Sequence, residues 1–305
     1  MIFIAASVVL AWFLSSPISV FTTIENTKLA MNSVDKKNNN GLESFEYDGC
    51  EEANDCECVA LIHGMGDSAY TWTKTLTASD KTWDKPVYFY AVNLPGSNES
   101  KALEDVNNYR VSAMADLISN NLPSRCDKWT VVGNSFGGWL SIKLAAQHPE
   151  KVKGLLLMGS AGINADYSKV AALFEDPSEE NLKAFQKLAY AKPKSIPSFV
   201  YSSLSKRLKS MPVKEMIHAQ TKDDFIDEDF KNLKMPTYLV WGDKDQVCPL
   251  DFATKMKELN PNANLEILKD CGHLPQKECF KDFAKNLNSL LKVEGEQVES
   301  QVNVQ

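Results

Sequence analysis

The chain has 305 residues, 44% hydrophobic and 24% charged, and carries a net charge of −7 at neutral pH. That length holds one large α/β domain with an insertion, or two small domains. The acidic balance argues against nucleic acid and anionic membrane surfaces as partners, and no repeat of solenoid or propeller period is present.

Met1 to Ile24 contains no charged residue, and Ile2 to Leu14 is an almost unbroken apolar run of signal-peptide length. Residues 1–24 therefore read first as an export signal. An uncleaved membrane anchor is the second choice and a buried helix the third. Only through such an anchor would the protein meet a membrane. The Lys/Asn-rich stretch behind it makes 25–41 a linker. Seven cysteines, three of them crowded at Cys50, Cys56 and Cys58, lack the second matched pair of a zinc site. Beside an export signal they point to disulfides, and the odd count leaves at least one thiol over.

Apolar runs then alternate with helical periods. Leu42 to Tyr47 reads as an edge strand, and Cys58 to Ile62 as a strand buried on both faces. A short helix over Ala69 to Ala78 and a strand over Pro86 to Val92 follow. Asn108 to Leu122 has a helical period and stops at Pro123. Trp129 to Val132 and Val152 to Met158 are further strands, with a helix over Gly138 to His148 between them. From Ile163 to Leu233 the patterns are helical only, so 163–233 is expected to cap a core made of 42–162 and 234–292. The acidic run Lys222 to Asp229 reads as a solvated face. Alternation resumes with strands at Pro236 to Trp241 and Leu265 to Leu268, and a last helix over Pro275 to Leu291. Residues 293–305 are polar and aperiodic, as in a disordered tail.

Gly133-Asn134-Ser135-Phe136-Gly137 sits between a strand and a helix, the context of a nucleophile elbow. The turn must be tight enough that a Cβ at Gly133 or Gly137 would meet neighbouring backbone, and Ser135 should adopt a strained conformation. A serine hydroxyl is a weak nucleophile and needs an imidazole, itself oriented by a carboxylate. There are four histidines. His148 and His218 read as surface residues, whereas His63 and His273 follow strands at their carboxyl ends, where open α/β sheets bind ligands. His273 follows the last strand. Asp243 and Asp245 follow the strand before it, so the chain order is serine, acid, histidine.

The chain resembles the α/β-hydrolase fold superfamily from about Leu42 to Leu291. The matching stretches are His63-Gly64-Met65-Gly66, Pro95-Gly96, Gly133 to Gly138, Trp241-Gly242-Asp243-Lys244-Asp245 and Gly272-His273. The resemblance implies a mostly parallel eight-stranded sheet flanked by helices, with a helical cap insertion. It assigns the acid to Asp245, with Asp243 as the competing choice, makes His63 structural, and gives the oxyanion hole to the backbone amides of Met65 and Phe136. It implies neither metal nor organic cofactor. From the family's strand order, Cys58 (or Cys56) would reach Cys126, and a bridge would form among Cys248, Cys271 and Cys279. Details around Pro95 to Ser100, the elbow and Leu157 to Ser160 resemble the hydrolases that split carbon–carbon bonds in meta-cleavage products. Met65-Gly66-Asp67 and Leu274-Pro275 depart from that subgroup.

The expected activity is therefore a serine esterase acting on a small-molecule ester or related carbonyl compound. Carbon–carbon hydrolysis is the alternative, and a non-catalytic ligand binder the reading from another class. The pocket wall is expected from Phe174, Phe185, Leu188, Tyr190, Phe199 and Tyr201, with Tyr70 and Trp72 near the entrance. Arg207, a loose match to the subgroup's carboxylate-binding arginine, is a candidate for the pocket, while the basic side chains of the insertion, Lys192, Lys194 and Lys206 among them, favour a solvated helical surface and hence a neutral ester.

Overall fold

The computed structural model describes residues 15–50, 53 and 55–302, with side chains given to residue 293. Eight strands form one sheet: β1 (Val34–Asn39), β2 (Leu42–Asp48), β3 (Glu57–Ile62), β4 (Val87–Val92), β5 (Trp129–Asn134), β6 (Val152–Met158), β7 (Thr237–Gly242) and β8 (Asn264–Leu268). Their order is β1-β2-β4-β3-β5-β6-β7-β8. β1 and β2 run antiparallel to their neighbours, and every pair from β4 to β8 is parallel. β3, β4 and β5 are buried along their whole length. Alternate side chains feed two apolar layers: Ala60 and Ile62 join one with Trp129 and Trp241, Val59 and Leu61 the other with Trp72 and Phe283.

The linker expected over 25–41 is instead structured. A helix, Pro17–Met31, buries Val20, Glu25 and Leu29, and β1 follows it. β1 carries the sequence Val-Asp-Lys-Lys-Asn-Asn and buries only Val34. It reads as linker because an edge strand needs no apolar alternation and is protected by exposed lysines. The turn into β2 is Asn40 (φ 51°) and Gly41 (φ 86°), the backbone of a type I′ hairpin. The expected signal peptide falls partly on residues 1–14, outside the described residues. Its remainder, 17–24, is the first half of this helix. The tail expected to be disordered from 293 also differs. The last helix, Phe280–Val302, runs through it, since Lys, Glu and Gln extend a helix already nucleated on the sheet.

Between β6 and β7 the chain is helical: Ser168–Glu175, Glu179–Ala189, Ser198–Ser210, Val213–Ala219 and Asp227–Asn232. The acidic run is not wholly solvated. Asp224 is fully buried and accepts two hydrogen bonds from Arg110, at 3.1 and 3.2 Å, while its carbonyl accepts from the Trp139 indole at 2.7 Å. This bidentate pair ties the insertion to the core beside the elbow helix.

Three disulfides are present among the described residues, Cys50–Cys56, Cys58–Cys126 and Cys271–Cys279, and Cys248 is a free, buried thiol. Cys58–Cys126 closes a 68-residue loop, a constraint that contributes about 4 kcal/mol at most in the chain-entropy account. Non-reducing peptide mapping of protein from its native host should return these three pairs, one alkylatable thiol, and peptides from the Pro17–Met31 helix. Seven alkylatable thiols, or an amino terminus beyond Met31, would contradict the packing described.

Candidate active site

Ser135 joins β5 to the helix Phe136–Gln147 with φ 57° and ψ −119°, a conformation that L-residues rarely adopt. Close packing imposes it. A Cβ on Gly137 would lie 2.2 Å from the Ile62 carbonyl oxygen, and one on Gly133 would lie 2.3 Å from the Gly137 carbonyl oxygen. The elbow helix thus crosses β3 where only glycine fits. Hydrogen bonds hold the turn: the Ser135 amide donates to the Met158 carbonyl at 3.0 Å, and the Ser135 carbonyl accepts from Gly138, Trp139 and Ala161.

His273 follows β8 and donates from Nδ1 to Asp245 Oδ2 at 2.8 Å; both residues are buried. Asp245 Oδ1 accepts the amides of Val247 and Cys248, each at 2.9 Å. A carboxylate so bound only accepts, so the imidazole proton sits on Nδ1 and Nε2 is left as an acceptor. Asp243, the competing acid, is paired with Lys244 at 2.9 Å and does not bond His273. His63 is otherwise committed: its Nε2 accepts the Leu94 amide at 3.0 Å and its Nδ1 donates to the Gly64 carbonyl at 2.8 Å. Burial pushes its pKa down to about 4.

Ser135, His273, Met65 and Phe136 all line one cavity of about 430 Å³. Phe136 opens the elbow helix, so its amide is among those left without an intrahelical acceptor, at the positive end of the helix dipole. Of the expected wall, Phe174, Phe185, Tyr190 and Tyr201 line the cavity. Tyr70 and Trp72 do not. Their 3₁₀ turn packs down against the sheet, where Tyr70 donates to Asn26 at 2.7 Å and Trp72 lies 6.2 Å from Phe283. Leu188 and Phe199 are also off the wall. Helical phase decides Phe199: Tyr201, Leu204 and Leu208 form the inward face of Ser198–Ser210, and Phe199 lies off it. The Leu188 carbonyl accepts the Gln246 amide at 3.0 Å. Lys192, Lys194 and Lys206 are exposed as expected; Arg207, expected in the pocket, is not among the residues that line the cavity, although its Nη2 is buried without a hydrogen-bond partner among the described residues.

Several residues escaped the sequence reading. Trp139 stacks with Tyr167 and Phe225 to form one cavity wall. Asn134 donates to the carbonyls of Met158 and His273 at 3.0 and 2.9 Å, and Gln276 donates to its Oδ1 at 3.3 Å, so the elbow and the histidine turn are bonded directly. Asn134 lies inside the motif and was in plain view. Gly159 lies in the Leu157 to Ser160 stretch, where only a resemblance was read: it has φ +47°, and a Cβ there would stand 2.7 Å from Asp245 Oδ2 and 2.8 Å from His273 Nδ1.

Gly159→Ala should therefore displace the Asp245–His273 pair. The expected loss in kcat is about 100-fold, the scale of a misplacement near 1 Å, with a smaller effect on KM; unchanged kcat would show that the pair tolerates the methyl group. For His63, the unfolded chain takes up its proton near 6.5 while the folded protein resists until about 4. Stability present above 6.5 is thus lost as pH falls from 6.5 to 4, by on the order of 3 kcal/mol. NMR titration of ¹³C-histidine-labelled protein should show one ring with a midpoint near 4, and a His63 midpoint above about 6 would refute the buried, neutral assignment.

Residues 59–286 match the alpha/beta hydrolase family. The chain is 30% identical over 245 residues to Lipase 3 of Moraxella sp. (strain TA144), spanning 75% of this chain and 76% of that protein. It is 26% identical over 267 residues to a 2-hydroxy-6-oxononadienedioate/2-hydroxy-6-oxononatrienedioate hydrolase of Pseudomonas sp, spanning 78% and 90%. A solved membrane phospholipase A, a bacterial virulence factor, has a TM-score of 0.74 at 20% identity over 96% of each chain, a likeness of fold. With the sheet order and the elbow described above, the chain belongs to the alpha/beta hydrolase family.

Proposed function

We propose that this enzyme is a serine hydrolase that cleaves carboxylic esters of small or medium acyl chains through an acyl-enzyme. One observation carries the reading: a strained serine and a carboxylate-held imidazole open onto the same apolar cavity. Ser135 Oγ attacks the ester carbonyl while His273 Nε2 takes its proton. The Met65 and Phe136 amides hold the oxyanion. The acyl–oxygen bond then breaks, and His273 gives the proton to the leaving alkoxide. Water repeats the sequence to release the acid and restore Ser135.

The helices of 163–233 act as the cap, supplying most of the apolar wall. A cavity of about 430 Å³ suits a small or medium ligand. The likeness to Lipase 3 supports ester cleavage. The likeness to the dienedioate hydrolase supports carbon–carbon cleavage of a diketone acid as a second reading, with the same triad. The disulfides fit an oxidising compartment, hence export. Val20 and Leu29 are buried, so a signal in the apolar Met1 to Leu14 run would be cleaved ahead of the Pro17–Met31 helix; a retained anchor is the second reading. Among the described residues no helix is long and apolar enough to cross a membrane.

A fluorophosphonate should label the wild type and leave Ser135→Ala unlabelled, with kcat in that variant down about 10⁴–10⁶-fold. Equal labelling, or binding of p-nitrophenyl esters without turnover, would leave a non-catalytic binder. Faster turnover of a ring-fission diketone acid than of any p-nitrophenyl ester would favour the second reading.

A further inference from the structure

Most polar side chains on the cavity wall are already committed. Gln220 accepts from the Val111 amide and donates to the carbonyls of Tyr109 and Met216. Gln186 accepts from the Tyr201 hydroxyl and donates to the Lys194 carbonyl. The Tyr167 hydroxyl accepts from the Gly162 amide and donates to the Ile163 carbonyl. One corner differs. Lys277 and Asp67 both line the cavity, and the ammonium lies 3.3 Å from Asp67 Oδ2. That is longer than the roughly 2.7–2.9 Å of a tight charge-assisted hydrogen bond.

Both groups keep hydrogen-bonding capacity. An ammonium has three donors, and among the described residues the Lys277 ammonium bonds only Asp67. Asp67 accepts at one oxygen from the Ser68 amide, at 2.9 Å, and at the other from Lys277, so each oxygen has a lone pair to spare. Of the two side chains, 36% and 29% remain accessible. Burial works against both charges, yet each partner's opposite charge holds Lys277 above and Asp67 below its ordinary pKa. The pair is therefore ionised at neutral pH. Arg207 stands outside the lining, so a ligand in the cavity meets the pair itself.

A pair that is balanced in charge and unsaturated in hydrogen bonds suits a neutral group able to donate to one member and accept from the other. A hydroxyl does both. Two hydroxyls on adjacent carbons suit it best, because their oxygens stand about one hydrogen-bond length apart, as the pair does. The corner's position says which half of an ester would carry them. Lys277 is on the short helix Pro275–Glu278, four residues after His273. In the acyl-enzyme route His273 gives its proton to the departing oxygen, so a group on the same turn borders the alcohol half. We propose that Lys277 and Asp67 form a subsite for hydroxyl groups on the alcohol half, so that the preferred substrates are partial esters of polyols that keep a vicinal diol. A fully acylated polyol offers no hydroxyl there and is disfavoured. The inference rests on the serine-hydrolase reading, and no bond to the diol is made or broken.

The test holds the acyl group at butyryl and varies the alcohol. Monobutyrin carries a vicinal diol, propyl butyrate has the same carbon skeleton without hydroxyls, and the butyryl ester of glycolate carries a carboxylate. Wild type should favour monobutyrin over propyl butyrate by about tenfold or more in kcat/KM, mainly through KM. Asp67→Leu combined with Lys277→Met removes the pair without leaving a lone charge, and should remove that preference. Asp67→Asn combined with Lys277→Gln keeps a donor and an acceptor, and should retain part of it. Equal kcat/KM for the two neutral esters in wild type, or equal losses on both in the apolar variant, would overturn the subsite and leave a structural ion pair. Faster turnover of the glycolate ester than of monobutyrin would overturn it in favour of an anion site. The wild-type ratios decide the matter even where the apolar variant fails to fold. Failure of the hydrolase reading looks different: neither neutral ester would then be turned over faster by wild type than by Ser135→Ala.

Discussion

The close approach of the elbow helix to β3 is the constraint on which the site depends. Gly137 meets the carbonyls of Ile62 and His63 with no room for a side chain. That contact fixes the angle at which the helix leaves β5 and forces Ser135 to a positive φ. The strain, about 1–3 kcal/mol, persists because the surroundings over-determine the turn. β3 and β5 are buried on both faces, and the backbone of Ser135 is bonded on both sides. The same crossing sets the first amides of the helix beside the loop after His63. The strained turn at Ser135 and the placing of those amides are therefore two results of one packing event.

The helical insertion does more than cover the cavity. Its backbone is bonded to the loops that carry Asp245 and His273. The His273 amide donates to the Ala189 carbonyl at 2.6 Å, the Gln246 amide to Leu188, and the Ala191 amide to Glu278 Oε2 at 2.9 Å. The end of the helix Glu179–Ala189 is thereby seated between the two loops. Excluding water strengthens each polar contact beneath it. Burial also raises the pKa of the Cys248 thiol, which keeps a potential competing nucleophile protonated.

What could be read from the sequence follows from how local each signal is. The elbow, the Asp243/Asp245 pair and His273 each sit in a few contiguous residues at the end of an apolar strand, so chain order pointed to them, while the choice of Asp245 came from the family resemblance. The Cys58–Cys126 pair was legible only through the family's strand order, which sets β3 beside β5 and left Cys56 as the alternative; the partner of Cys56 is Cys50. The pocket wall was only half legible. Aromatic residues in the insertion were assigned by type, but which of them face inward depends on helical phase, and Phe199 and Tyr201 are two residues and about 200° apart. The linker was misread for a different reason. Asn40-Gly41 is a strong hairpin signal, but it is followed by one plausible strand and preceded by lysines and asparagines. A polar edge strand has no signature until its partner is known.

The histidine turn joins these threads. Cys271 and Cys279 close a loop of eight residues in sequence separation, and within it lie His273, Gln276 and Lys277. Gln276 donates to both Thr71 and Asn134, and so pins the turn to the core and to the residue before the serine. Lys277 reaches across to Asp67 on the loop after His63. One closed loop therefore positions both His273 and Lys277.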